Sequence, residues 1–569
     1  MTAPPSTGPS TRAEDAPSGR WSVGAAPVVF WASMGLIVAF VLFAVVTPDL
    51  AAEGIGAVQS GIVDVLGWYY VLLIAVFVAF ALAMGFSRFG DIRLGRDDEE
   101  PEFGMKSWFA MLFSAGMGIG LVFWGVAEPL NHFAAPRPGF EGGEVETARR
   151  AMTQTYLHWG IHAWAIYVVA GLAIAYAVHR KGRPVSIRWA LEPLLGDRVK
   201  GRLGDLIDIT AVVGTVFGVA TSLGFGVAQI AAGLDFTGLV GDGAGSVGLQ
   251  ILLIVVITAI ATVSVVSGVG RGIKWLSNFN MGLAAILLLF VLIAGPTIFL
   301  LREFVQNFGD YFSNVLGLTF DVSAYRGAAG EEWQGFWTTF YWGWWVSWAP
   351  FVGVFIARIS RGRTVREFVL GVLLVPTLVT FLWFSVLGGT ALHRELFGGG
   401  GLVGEDGSVG TESSLFTLLD AFPGGGLVIG LTILLIVTFF VTSSDSGSLV
   451  VDMLASGGDI DPPKWSRVMW AILEGAVAAA LLAVGGGGLD ALQTAAIVIA
   501  LPFSVVMVAM MFATVRAFRA EAHAADQRRR ALELEAMTHH VTTRIEENAT
   551  AVESSNGAPV RTPTRRQRR

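Results

Sequence analysis

The sequence predicts an all-α integral membrane protein of twelve transmembrane helices, and three observations predict it. First, 53% of the 569 residues are apolar and only 15% are charged, with a mean hydropathy of +0.62. A soluble chain of this length needs more charge to cover its surface, so the apolar excess must face lipid. Second, apolar runs of roughly 18 to 25 residues recur between short polar stretches, the length a helix needs to cross a hydrocarbon core of roughly 30 Å. Third, lysine and arginine are concentrated in alternate loops. Short segments alternating in hydropathy, the mark of an outer-membrane barrel, are absent. With no cysteine in the chain, disulfides, thiolate chemistry and cysteine-bound metals are excluded.

The runs place spans at 27–47, 66–87, 107–126, 151–178, 204–233, 247–268, 278–301, 334–357, 367–390, 427–451, 466–486 and 490–517. An even number of spans puts both termini on one side. That side carries Arg88, Arg93, Arg96 and Lys106, then Arg180, Lys181, Arg183, Arg188, Arg198, Lys200 and Arg202, then Arg271, Lys274, Arg358, Arg361, Arg363 and Arg366. The opposite loops hold only scattered cations such as Arg137, Arg302 and Arg394. The positive-inside rule therefore predicts cytoplasmic termini. Residues 1–24 form a tail rich in Pro, Ser, Thr and Ala, and no cleavage-type ending follows the first apolar run.

Outside the spans, residues 302–332 are too apolar for a plain linker and predict an amphipathic helix on the outer surface. The glycine-rich stretch 395–412 reads as a flexible external loop. The tail 519–569 mixes Arg528, Arg529 and Arg530 with Glu533 and Glu535, and ends in Arg565, Arg566, Arg568 and Arg569. Its first half reads as a charged helix and its end as a basic arm for an anionic leaflet, which makes it a candidate regulatory segment.

Chemistry is suggested at three places. In span three, Gly116, Gly118 and Gly120 alternate through Ser114-Ala-Gly-Met-Gly-Ile-Gly120. Glycines at mid-membrane weaken the helix, and half-helix ends with free carbonyls bind cations; close packing of helices through small residues is the alternative. In span eight, Trp342, Trp344, Trp345 and Trp348 run deeper than an interfacial belt explains, and Trp345 and Trp348 share one helix face. Span four adds Trp159, Trp164 and Tyr167. Several π faces around a cavity suit a quaternary ammonium, which donates no hydrogen bond but is drawn to ring quadrupoles; plain aromatic packing is the alternative. Span ten holds Thr442, Ser443 and Asp445, where hydroxyl oxygens suit an alkali cation and Asp445 suits a structural pair with backbone or arginine.

His158 and His162 stand four apart, but Trp159 occupies the position where a zinc-protease motif needs glutamate, so they read as packing histidines. No catalytic triad or carboxylate pair emerges, and an enzyme is not expected.

The motifs resemble the betaine/carnitine/choline transporter family. The resemblance rests on Gly116-Met-Gly-Ile-Gly120, Phe123-Trp-Gly-Val-Ala-Glu128-Pro129, and Phe340-Tyr-Trp-Gly-Trp-Trp-Val-Ser-Trp-Ala-Pro-Phe351, which continues into Ile356-Ala-Arg-Ile-Ser-Arg-Gly-Arg363. It covers residues 25–518. It implies a transporter domain with the leucine-transporter-like arrangement of two inverted five-helix repeats, about 107–301 and 334–517, with two additional N-terminal helices. It also implies a homotrimer in a bacterial-type cytoplasmic membrane.

By the same resemblance, Trp159, Trp164, Tyr167 and Trp345 form an aromatic box completed by Trp344 and Trp348, with Ala115 and Met117 of the broken helix beside the substrate and Phe123 as a gate. One sodium site would use Ser114, Met117, Phe439, Thr442 and Ser443. A second would lie near Ala115, Phe351 and Thr221, with Thr215 and Ser222 as competing hydroxyls. The implied function is sodium-coupled import of a zwitterionic quaternary-ammonium osmoprotectant, with Na+ co-transported and no nucleic acid involved. Spans five and six hold no Lys or Arg, where sodium-independent exchangers of the family carry a fixed cation. Gly120 stands where choline-preferring members tend to have Asp, so glycine betaine is favoured. Ectoine, proline betaine or choline import, and proton-coupled or exchange transport, are the alternatives.

Overall fold

The computed structural model describes residues 26–116, 118–140, 142–240, 245–267, 270–486 and 489–556, which are helical with no β-strand among them. They fall into two compact units, Met1–Thr514 and Val515–Arg569. Ten helices are long and apolar enough to cross a membrane, or eleven when one bent pair is counted as a single span.

Helix α1 (Pro27–Val46) and helix α2 (Pro48–Phe86) are separated by Thr47 alone. Pro48 opens α2 at the position where a helix has no use for the missing N–H. At 39 residues α2 begins well before the predicted 66, since the alanines and glycines of its first turns offer no break strong enough to end a helix. The predicted third span is split into α3 (Met105–Gly116) and α4 (Ile119–Ala134), whose axes bend by 64° at the glycine run.

The predicted fourth span is also divided, into α5 (Glu144–Trp159) and α6 (Ile161–Ala175). Gly160 makes this break. A Cβ there would stand 2.5 Å from the Tyr156 carbonyl oxygen and 2.8 Å from the Phe381 ring, so only glycine allows the approach. Beyond α6 come two single-turn helices, α7 (Ile187–Ala190) and α8 (Glu192–Leu195), in the basic loop before α9 (Arg202–Phe236). Asp208 of α9 anchors that loop. It accepts from the Ser186 hydroxyl at 2.6 Å, the Arg188 backbone N–H at 2.9 Å and the Arg188 guanidinium at 2.5 Å.

Helices α10 (Val247–Ser267) and α11 (Gly270–Ala294) follow, and α11 stops before the predicted 301 because Gly295 and Pro296 cannot continue it. Helix α12 (Thr297–Thr319) then takes the place of the expected amphipathic surface helix: Leu300, Asn307 and Tyr311 are buried while Val305, Phe312 and Leu316 stay exposed. Helix α13 (Gly327–Gln334) leads through a wider-wound stretch, 335–339, into the aromatic helix α14 (Phe340–Ile359). Its tryptophans and tyrosine lower its mean hydropathy, and α14 is not among the ten apolar helices. Helix α15 (Val365–Phe397) starts at a reciprocal Thr364/Glu367 cap.

The glycine-rich stretch after α15, expected to be flexible, has defined hydrogen bonds instead. Glu395 Oε1 accepts from the Leu402 N–H at 2.6 Å, and the Gly404 N–H donates to the Ser408 carbonyl at 2.8 Å. The chain closes with α16 (Ser414–Asp420), α17 (Gly425–Ala455), α18 (Lys464–Val484) and α19 (Asp490–Asn556). In the second unit, Arg529 and Glu533 pair at 2.9 Å along the charged helix; the basic end beyond 556 lies outside the described residues, as does the tail 1–24.

Burial separates centre from rim. The apolar stretch within Glu144–Arg180 is 89% buried, against 28% for α1 and 33% for Val247–Val266 of α10, so α5 and α6 form the centre and the others face lipid. Helix α14 packs most heavily on α6 and also on α9, and α15 packs on α4 and α6.

Candidate functional site

Both helix breaks open onto one cavity. It is lined by Gly118, Gly120 and Leu121 at the start of α4, by Trp159 at the end of α5, by Ala163, Trp164 and Tyr167 on α6, by Trp344, Trp345, Trp348 and Val352 on α14, and by Thr380 on α15. The six residues expected to form and complete the aromatic box therefore line one cavity, while Trp342 and Phe123 do not. Trp159 stands edge-on to Trp345 at 4.8 Å and 71°, and to Trp344 at 6.1 Å and 86°. Tyr167 meets Trp164 at 5.4 Å and Trp345 at 6.4 Å, both edge-on. Trp344 and Trp348, one turn apart, lie parallel within 11°.

At the α5 break the Trp159 carbonyl, left without a helical partner, accepts from the Thr380 hydroxyl at 3.1 Å. Trp383 Nε1 donates to the Leu121 carbonyl at 2.7 Å and ties the first turn of α4 to α15.

The indole N–H groups divide into two kinds. Trp159 Nε1 donates to Glu128 Oε2 at 2.6 Å, and Trp345 Nε1 donates to the His158 carbonyl at 2.9 Å. Trp344 Nε1 and Trp348 Nε1 are buried without a partner. A buried unpaired donor is costly, and here two of them belong to lining residues of one cavity. No Lys, Arg, Asp or Glu is among the described lining residues. The cavity thus offers π faces and no fixed charge, a chemistry for a small solute bearing a soft cation.

Phe123 is buried outside the lining, stacked on Phe225 at 5.0 Å, and Phe225 in turn meets Trp344 at 5.1 Å. Ser114 is half-buried in the last turn of α3, where carbonyls lack helical partners. Met117 lies outside the described residues, as does the Ala115 side chain. Phe439 is buried, while Thr442 and Ser443 are half-buried on α17. The Thr442 hydroxyl sits 3.1 Å from both the Thr438 and Phe439 carbonyls and accepts from Asn280 Nδ2 at 3.0 Å. Asp445, read as structural, is paired with Arg467 at 3.2 Å.

Of the competing hydroxyls, Thr215, Thr221 and Ser222 each donate to a carbonyl one turn back, and Thr221 alone of the three also reaches the Leu492 carbonyl, at 3.4 Å. A Cβ on Gly218 would stand 3.2 Å from the Trp348 backbone nitrogen, so this part of α9 lies flat against α14. Phe351 stacks on Trp348 at 5.8 Å, one turn further along α14.

The histidines part company. His162 Nε2 faces the Thr319 hydroxyl at 2.8 Å, whereas His158 joins Glu128 and His132 in a buried cluster that the sequence reading did not anticipate. The nearest signal was the four-residue spacing of Glu128 and His132 on α4. The three offer ligand atoms close enough for a metal ion. Hydrogen bonds already occupy both carboxylate oxygens and His158 Nδ1, so the arrangement reads as a proton-sharing network.

A larger cavity of about 220 Å3 is lined by Arg137, Arg149, Glu146, Asp310, Asp321 and others. Its charges are already paired: Arg149 holds Asp310 at 2.8 Å, and Arg137 holds Asp321 at 3.1 Å while stacking over Trp333. Burial pushes the Arg137 guanidinium down to about 10, which leaves it charged at neutral pH. With its charges satisfied among themselves and few π faces, this cavity fits a solute less well than the aromatic one.

A many-helix membrane domain whose broken helices meet at an uncharged aromatic cavity defines a transporter. The profile of the betaine/carnitine/choline family of transporters matches residues 28–523, and the chain belongs to that family. It is 55% identical over 498 residues to an uncharacterised transporter of Mycobacterium tuberculosis, covering 86% of this chain and 82% of the relative. It is 45% identical over 483 residues to the glycine betaine transporter OpuD of Bacillus subtilis, covering 85% and 92%. A glycine betaine transporter of Acinetobacter baylyi is 41% identical over 497 residues, covering 87% and 73%.

Proposed function

We propose that this protein is a sodium-coupled secondary transporter that imports a zwitterionic quaternary-ammonium solute, glycine betaine first among them, as an osmoprotectant. The observation that carries the reading is the division of labour in the cavity. Faces of Trp159, Trp164, Tyr167 and Trp345 are available to a trimethylammonium group, while the unpartnered N–H groups of Trp344 and Trp348, buried in the cavity wall, are assigned to a carboxylate. Relatives that carry the name glycine betaine transporter support the same substrate class. Sodium coupling is supported by the helix break at Ser114 and by the Thr442 and Ser443 hydroxyls on α17. The second site is assigned to Phe351, Ala115 and Thr221.

The reading takes the Trp-rich α14 as a further crossing, giving twelve with both termini in the cytoplasm, and takes about 107–301 and 334–517 as inverted repeats. A homotrimer whose C-terminal tail meets anionic lipid completes it. The test is uptake of radiolabelled glycine betaine into proteoliposomes under separate inward sodium, potassium and proton gradients. Accumulation driven by sodium alone is expected. Uptake indifferent to sodium would withdraw the roles of Thr442 and Ser443.

A further inference from the structure

Behind the aromatic cavity lies a carboxylate that the proposed transport cycle leaves without a role. Glu128 of α4 is fully buried. Its Oε1 faces His158 Nδ1 at 2.7 Å and His132 Nε2 at 3.3 Å, and its Oε2 accepts from Trp159 Nε1 at 2.6 Å and the Tyr341 hydroxyl at 2.5 Å. His158 Nε2 lies 3.0 Å from both the Thr338 hydroxyl and the Gln154 amide nitrogen. Both can donate to it, so the network assigns Nδ1 as the protonated nitrogen aimed at Glu128. The Trp159 and His158 groups thus only donate, and no Lys or Arg is among the four partners. Four partners thus converge on one buried carboxyl group with no cation among them.

Two of the four partners belong to the cavity wall or touch it. Trp159 lines the cavity, and Tyr341 packs on Trp345 at 5.8 Å. We infer that Glu128 is a specificity-determining positioning residue of the aromatic cavity, which fixes the Trp159 indole and enriches its π face for a quaternary ammonium. The physical reason is local: a carboxyl oxygen that accepts from an indole N–H polarises the ring toward its face, and attraction of a cation grows with the negative potential there. The inference rests on the proposed substrate class and adds a determinant outside the contact shell.

The test uses the full-length purified protein in sodium, with two ligands of matched shape: glycine betaine, and tert-butylacetate, its carbon isostere without the positive charge. Glu128→Gln keeps the volume and replaces one accepting oxygen with an amide donor. Betaine affinity is expected to fall about tenfold or more, the loss of roughly one cation–π contact, while the affinity for tert-butylacetate stays near that of the wild type. Parallel weakening of both ligands would show a merely structural residue and overturn the inference. Should Glu128→Gln fail to fold, Trp159 replaced by benzothienylalanine keeps the ring system and removes only the N–H. The same selective loss of betaine is expected there, and unchanged betaine affinity overturns the inference. A wild type that binds no betaine overturns the proposed function and this inference together, whereas a wild type that binds it beside unselective variants overturns this inference alone.

Discussion

Gly120 lies directly against Trp344: a Cβ on it would stand 2.7 Å from Trp344 Cη2 and 3.1 Å from Trp159 Cη2. The smallest side chain at this position is what lets the two rings close over the helix break. Gly120→Ala is therefore expected to push both rings apart and to weaken betaine binding by about 1–3 kcal/mol, the usual cost of overpacking. Quenching of tryptophan fluorescence by betaine measures it. Wild-type affinity would mean that the rings have slack which the packing does not suggest.

Trp348→Leu retains an apolar side chain but removes a π face and an unpartnered N–H. Betaine affinity is expected to drop by about 1–2 kcal/mol, and no hydrogen bond to the protein is lost with the N–H. If affinity survives, the tryptophans of α14 are packing residues.

Thr442→Ala removes a hydroxyl that accepts from Asn280 and is assigned to sodium. The sodium concentration for half-maximal uptake is expected to rise at least several-fold, with betaine binding recovered at high sodium, as linkage between two ligands requires. An unaltered sodium dependence would remove Thr442 from the site.

Arg188→Ala leaves Asp208, which is fully buried, without its cation. Removing one partner of a buried pair costs about 3–5 kcal/mol, so the melting temperature in detergent should fall by several degrees. Transport by the surviving folded protein should keep its betaine affinity, because neither residue lines the cavity. A change in affinity at unchanged melting temperature would contradict a structural role.

Glu303 of α12 gives stability a pH dependence. Burial raises its carboxyl from the usual 4.5 to about 8, against the opposing hydrogen bonds from Ser385 and Asn307. An acid with a raised folded-state value is stabilised in its neutral form, so its contribution is complete below pH 4.5 and disappears as pH rises through about 8. Thermal stability should therefore fall from about pH 4.5 to about pH 8, and Glu303→Gln should flatten that slope. A wild-type profile that is level across this window, or an unchanged slope in the variant, would assign the dependence to other groups.

Several features were legible because they depend on local pattern. Apolar run length marks a helix in lipid regardless of its neighbours, and three alternating glycines predicted the bend between α3 and α4. The spacing of Trp344, Trp345 and Trp348 implied a shared surface. The Gly160 break was not legible, since a lone glycine in an apolar run is more often tolerated than not. What forces the break is the Phe381 ring, more than two hundred positions away. The same holds for the defined turns after Phe397, where a glycine-rich composition reads as flexible until Glu395 and Arg394 are seen to bind its backbone.

The sequence by itself determined that the chain is a helical membrane protein, where its long apolar runs lie, and which residue types could receive a cationic solute. Those properties follow from hydropathy and from the chemistry of single side chains. Only the tertiary structure decided which indole N–H groups are spent on the protein and which remain free, and that Glu128 stands behind Trp159. Hydrogen-bond partners such as Glu128 with Tyr341, and Trp345 with the His158 carbonyl, lie far apart in the chain. Their meeting depends on how α4, α5 and α14 pack, and no local pattern encodes that distance.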